Sequence, residues 1–272
     1  VIRWGVVGVG RAGAARVHAL RADPRASIVG GVRGALDELQ VPGFASLEAL
    51  FAAVDAVAIC SPDGHHGEQV RRALDAGCHV VCEFPLAQDS ATAAALFEHA
   101  DRTGRVLHVE HIELLTPTAI WLLGRCRGRR LVRARLAFQR PTTSGRIAHD
   151  NLARFHRLWD AVGRPEVDGR HLRVGGAPVL LDLRHAPGEP RRFELDLHLD
   201  DGCVIRQRDR VLLEDDQQVP LPPSTGLFAT DQLAASAAML DGAAPYVARE
   251  RIVGVLALAD ALHASRQSSK RS

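Results

Sequence analysis

Three glycines in the run Gly8-Val9-Gly10-Arg11-Ala12-Gly13 constrain this chain more than any other feature, because they join two different hydrophobic patterns. Val1 to Gly8 (VIRWGVVG) reads as a buried strand, and Arg11 to Ala22 reads as a helix that stops before Asp23-Pro24. At a strand-to-helix turn each glycine of a G-x-G-x-x-G set has a physical role. The first permits the tight turn, the second lets a pyrophosphate approach the backbone, and the third lets the helix pack closely on the strand. The anion then lies on the helix N-terminus, where unpaired N–H groups and the helix dipole favour negative charge. A second strand, Ala26 to Val32, follows the helix, so the segment reads as a dinucleotide-binding βαβ unit. Gly8, Val9, Gly10, Arg11, Ala12 and Gly13 are its expected cofactor contacts.

The residue type at the end of that second strand bears on which dinucleotide binds. Sites that prefer NAD place an acidic side chain about 20 residues past the glycines, where it takes the ribose hydroxyls. Here the position holds Arg33, whose guanidinium suits the 2′-phosphate of NADP, so NADPH is the expected cofactor, with NADH as the alternative.

Helical and strand patterns then alternate: helix 46–53, strand 56–60, helix 67–76, strand 79–82, helix 90–103 and strand 106–110. This spacing predicts a Rossmann doubly wound parallel sheet over residues 1–116. Ligands of such sheets bind beyond the carboxyl ends of the strands. That rule marks Ser61, Pro62, His65 and His66 after one strand, Glu83 and Phe84 after the next, and Glu110, His111 and Glu113 after the last.

From Leu131 the pattern changes to period-two alternation. Strands are expected at 131–140, 169–174, 179–185, 193–199, 203–208 and 211–214, interrupted by a helix at 151–162 and followed by helices at 230–240 and 248–264. Residues 117–272 are therefore expected to form an α+β domain on a mostly antiparallel sheet with one polar face. Apolar residues make up 46% and charged residues 24% of the chain, which supports packed cores. The absence of a long apolar run argues against a membrane span, and a cytoplasmic location is the expectation.

Arginines outnumber carboxylates between Arg125 and Arg210, which suits a small anionic ligand; with one tyrosine and three tryptophans, and no recognisable motif, nucleic acid is not expected. The five scattered cysteines read as buried thiols, and no metal site is expected; the spacing of His108, His111 and Glu113 fits no zinc motif. Lys270 is the only lysine and stands in a Ser/Lys/Arg tail, which argues against Schiff-base chemistry.

Several local sequences together point further: the glycine turn at 8–13, Ile59-Cys60-Ser61 followed by His66, Glu83-Phe84-Pro85, and the run from Val106 to Leu115. With Ala153-Arg154-Phe155 ahead of Trp159 and Gly163, and Leu227 to Gln232, the chain resembles the biliverdin reductase family, within the glucose–fructose oxidoreductase and inositol dehydrogenase superfamily. The likeness covers most of the chain and is thinnest between Gly169 and Asp216. It implies NADPH-dependent reduction of the central methine bridge of biliverdin, a linear tetrapyrrole, to bilirubin. Sugar and polyol dehydrogenases of the superfamily carry Glu-Lys-Pro where this chain has Glu83-Phe84-Pro85. Phenylalanine cannot carry a proton, so the change argues against alcohol oxidation.

Such a reduction requires an apolar slot over the nicotinamide, cations for two propionates and a proton source. Arg154 matches the family's proposed proton-delivering arginine. Its pKa above about 12 makes it a poor acid, so it is expected to anchor a propionate or polarise a water. His156 and Arg157 on the same helix, with Phe84 and His111, complete the expected substrate contacts. Glu83, Glu110 and Glu113 are candidate acids, since a desolvated carboxyl has a raised pKa. Arg133, Arg135, Arg206 and Arg208 are further candidate cations or a solvated sheet face. Two alternatives stay open: an NADPH-dependent reductase of an imine or conjugated C=C bond, and a non-catalytic NADPH-binding regulator.

Overall fold

A computed structural model describes residues 1–142, 146–168 and 171–268, with the side chains of 266–268 excepted. The expected strand at 169–174 thus falls partly outside the described residues, and Lys270 wholly so. The chain forms two compact units: Val1–Ile112 with Thr225–Val253, and Glu113–Ser224 with Gly254–Ser272.

The first unit is built on β1 (Ile2–Val9), β2 (Ala26–Gly34), β3 (Ala56–Ile59), β4 (His79–Cys82) and β5 (Leu107–Val109), which are parallel and ordered β2-β1-β3-β4-β5. Helices α1 (Arg11–Ala22), α2 (Leu47–Ala53), α3 (His66–Asp75) and α4 (Ser90–Thr103) connect them. The central strand β3, Ala-Val-Ala-Ile, is buried on both faces, as a parallel sheet covered on both sides requires. Beyond β2 a single parallel bridge joins Gly31 to Gly43, where the doubly wound pattern has a further strand. Pro42 has no N–H to extend that pairing. The strand order reverses direction between β1 and β3, the place beyond whose carboxyl ends sheets of this kind bind ligands.

On α1 the residues Gly13, Arg16, Val17 and Leu20 are buried at helical spacing. Val17 and Leu20 join Ile2, Trp4, Val6 and Val9 in the core of this unit. So does Ala235 of α7 (Leu227–Asp241). The single expected division at 116/117 placed α7 with the second domain. The contacts instead divide the chain at 112/113, 224/225 and 253/254. The physical reason is that α7 covers α1: Ser236 Oγ donates to Asp23 Oδ2 at 2.5 Å, and Asp231 pairs with Arg16 at 2.7 Å.

The second unit is an eight-stranded sheet flanked by α5 (Pro117–Cys126), α6 (Leu152–Val162) and the greater part of α8 (Arg249–Ser268). Its strands are β6 (Leu131–Arg140), β7 (Pro165–Asp168), β8 (His171–Val174), β9 (Ala177–His185), β10 (Arg192–Leu199), β11 (Val204–Arg208), β12 (Val211–Glu214) and β13 (Gln217–Gln218). They run in the order β13-β12-β11-β10-β6-β9-β8-β7, and every pair is antiparallel except β6 with β9. The alternation is clear in β10, where Phe193, Leu195, Leu197 and Leu199 are buried and the residues between them are not. No helix among the described residues is long and apolar enough to cross a membrane.

Candidate active site

Packing distances around the glycine turn give each glycine a reason. Gly8 has φ +84°, and a Cβ there would lie 2.8 Å from the Ser61 backbone. On Gly13 a Cβ would stand 2.2 Å from Gly8 O, so α1 rests directly on the turn. Around Gly10 the space is open: a Cβ would meet nothing within 4 Å. Gly10 is also the N-cap of α1 and offers no side chain to its N–H groups. An exposed, uncapped helix start with an empty cradle over the middle glycine fits a pyrophosphate. Val9 is buried beneath the turn, Ala12 is half-buried and Arg11 is exposed. Val9 pairs in register with Gly34, which brings the exposed Arg33 beside the same turn.

The next two strand ends are braced together. Ser61 Oγ donates to Gln69 Oε1 at 2.6 Å. His66, buried, presents its two ring nitrogens to the carbonyl oxygens of Ser61 and Pro85, each at 2.7 Å. It therefore holds the turn containing Ser61 and Pro62 against the turn containing Phe84, behind the face expected to meet a cofactor. The Phe84 ring is half-buried and packs on His111 with centroids 4.7 Å apart.

Behind Glu83 lies a cluster of charges that the sequence reading missed. Arg16 is fully buried and divides its fork: Nη1 lies 2.7 Å from Asp231 Oδ2, and Nη2 donates to Glu83 Oε1 at 3.3 Å. Asp231 Oδ1 also accepts the Tyr246 hydroxyl at 2.6 Å and stands 2.9 Å from His108 Nε2. Tyr246 in turn accepts the His111 N–H at 2.8 Å. Burial raises the Glu83 pKa, and Arg16 draws it back only in part. Burial and the neighbouring Glu83 push Glu110 up to about 8, so its carboxyl is largely protonated at neutral pH. His111 is pushed down to about 4 by burial and stays neutral. The clue to Arg16 was in the sequence: a charge at the i+3 position from Gly13, on a helix face that is otherwise apolar or glycine.

In the second unit Arg154 of α6 lies over two aromatic rings, 4.1 Å from the Phe138 centroid and 4.9 Å from that of Phe193. Its Nη1 donates to the Asp150 carbonyl at 3.2 Å, and its buried Nε has no hydrogen-bond partner. Among the described residues no carboxylate forms an ion pair with it. Burial, with Arg191 and Arg157 nearby, pushes its pKa down to about 10, which still leaves it charged at neutral pH. Arg157 is committed elsewhere, to Glu113 and to Gln207 Oε1 at 2.8 Å. Glu113 thus serves as a counter-ion in this unit, while Glu83 and Glu110 stand together in the first. His156 is fully buried on the core side of α6. On the sheet, Arg135 pairs with Glu194, Arg208 with Asp196 and Arg206 with Asp216, so those cations are neutralised by their neighbours. The five cysteines are free thiols. On the β11–β12 hairpin Cys203, Glu214 and Asp215 gather ligand-type atoms within 4.8 Å, but Glu214 is already paired with Arg125.

Residues 2–111 match the model of an oxidoreductase family with an NAD-binding Rossmann fold, the GFO/IDH/MocA family. The match covers less than half of the chain and is a likeness of those residues to that family. The cofactor is accordingly a nicotinamide dinucleotide. Biliverdin reductase A of Mus musculus is 39% identical over 143 residues, which take in 49% of this chain and 47% of the mouse protein. The chain thus matches about half the length of that relative. A UDP-N-acetylglucosamine 3-dehydrogenase of Acidithiobacillus ferrooxidans is 34% identical over 44% of this chain and 40% of its own length. Among solved structures, a Synechocystis biliverdin reductase in complex with biliverdin and NADP+ superposes with a TM-score of 0.83. It covers 97% of this chain and 98% of its own at 23% identity, a likeness of fold. The mostly antiparallel C-terminal half of this chain is thus also part of that likeness of fold.

Proposed function

We propose that this protein reduces biliverdin at its central methine bridge with NADPH, giving bilirubin. The observation that carries this reading is Arg154: a half-buried cation on an aromatic floor that forms no ion pair with a carboxylate among the described residues. A charge desolvated in this way is costly unless an anion completes it. A ligand that brings both a carboxylate and flat apolar surface satisfies the guanidinium and the Phe138 and Phe193 rings together, and a bilin propionate is such a ligand. Phe84 supports the same substrate class, because its ring carries no proton to exchange with an alcohol. The names of the mouse and Synechocystis relatives agree with this reading.

When bound, NADPH supplies the hydride. Arg33, exposed beside the glycine turn, pairs with the 2′-phosphate. Glu110 supplies the proton taken up at a pyrrole nitrogen, since it is the carboxyl that stays protonated at neutral pH. Arg154 orients the substrate through a propionate. Incubation with biliverdin and NADPH tests the proposal: the red absorption should decay as a yellow band grows, at a rate proportional to enzyme. Inert biliverdin in the presence of bound NADPH would overturn it.

A further inference from the structure

Three buried or half-buried carboxyls, Glu83, Glu110 and Asp231, share one buried guanidinium, and they share it unequally. Asp231 has Arg16 at 2.7 Å, the Tyr246 hydroxyl at 2.6 Å and His108 at 2.9 Å. Glu83 has the other Arg16 nitrogen at 3.3 Å. Glu110 accepts the Ile112 N–H at 2.7 Å, and no cation among the described residues forms an ion pair with it. The titratable groups acting on Glu110 come from every neighbouring element: Arg16 on α1, Cys60 after β3, Cys82 and Glu83 at the end of β4, Asp231 on α7 and Tyr246 beyond it. Glu83 and Asp231, each in contact with Arg16, both disfavour a negative charge on Glu110, which burial disfavours further.

We propose that Arg16 is a positioning residue that assigns the proton of this cluster: dividing its fork between Asp231 and Glu83 keeps those two ionised and leaves Glu110 as the group that holds and delivers the proton. The inference rests on the reading of Glu110 as the acid. In the delivery step the Glu110 O–H bond breaks, its electron pair stays on the carboxylate, the proton goes to the substrate nitrogen, and solvent restores it after product leaves. Arginine suits this task because a planar fork contacts two carboxylates at once, whereas an ammonium is a single point charge. The assigning residue also lies on α1, the helix whose first turn receives the cofactor phosphates.

Infrared difference spectroscopy of the full chain across a pH series tests this without any substrate. At pH 7 the wild type should show one buried protonated carboxyl, abolished by Glu110→Gln. The paired variant Arg16→Met with Asp231→Asn removes one charge of each sign, and it should show a second protonated carboxyl that Glu83→Gln abolishes. Arg16→Lys keeps the charge in place for folding, and it should raise the pH at which Glu83 protonates by about one unit. A Glu83 titration unmoved in both variants, or a wild type without the Glu110 signal at pH 7, overturns the proposal. If the infrared pattern appears as expected while biliverdin is inert, the substrate reading fails and the assignment by Arg16 stands.

Discussion

At the scale of single residues, function here runs against stability. Arg154 is partly desolvated and forms no ion pair among the described residues, so replacing it by an apolar side chain of similar length removes a cost as well as a contact. Arg154→Met should therefore leave the melting temperature unchanged or raise it, while kcat/KM for biliverdin falls by roughly 100-fold through lost positioning. Thermal denaturation and steady-state kinetics on the same preparation check both halves, and a melting temperature that drops with activity would show Arg154 to be a structural residue. Arg33 is different, being exposed and outside the core. Arg33→Ala should weaken NADPH binding by about 1.5–3 kcal/mol and leave NADH binding unchanged, as read by fluorescence titration of each cofactor. Neither substitution acts on the charges around Arg16, so their effects should add to those of changes there.

At the scale of elements, the glycine turn separates a fold requirement from a binding requirement. Gly13→Ala forces a Cβ to within 2.2 Å of Gly8 O and should prevent folding or shift α1. Gly10→Ala meets open space at φ −92°, so the variant should fold with wild-type circular dichroism, yet lose cofactor affinity because the methyl group stands where the pyrophosphate belongs. These turns were legible because the physics is local: α1, β4, α4, β6 and β12 have the bounds that periodicity gave. Periodicity does not mark helix α5, although Thr116 and Pro117 form a standard helix start, with Thr116 Oγ1 accepting the Ala119 N–H at 3.3 Å. The apolar run before it hid the cap. The site divided in the same way. Arg33, Glu83 and Glu110 follow from strand ends, whereas the partners Arg16 and Asp231 lie 215 positions apart, and no local pattern connects them.

For the whole molecule, the cluster makes stability depend on pH in a stated direction. The Glu110 carboxyl titrates at about 8 in the folded chain against an ordinary value of 4.5. A raised carboxyl pKa contributes stability that is fully present below the unfolded value and is lost as pH rises through the folded one. Glu110→Gln keeps an acceptor for the Ile112 N–H and removes the titration. Its melting temperature should therefore gain on that of the wild type as pH is raised from 5 to 9, and a constant difference across that range would count against a buried neutral acid. The discontinuous first unit bears also on how the chain is made. During translation the segment ending at Ile112 leaves the ribosome long before the segment beginning at Thr225 is synthesised. Throughout that interval Arg16 has no Asp231, and α1 is uncovered where α7 will lie. The first unit therefore stays incomplete until the segment through Val253 has emerged, so the charges around Arg16 come together only after the whole intervening sheet has been made.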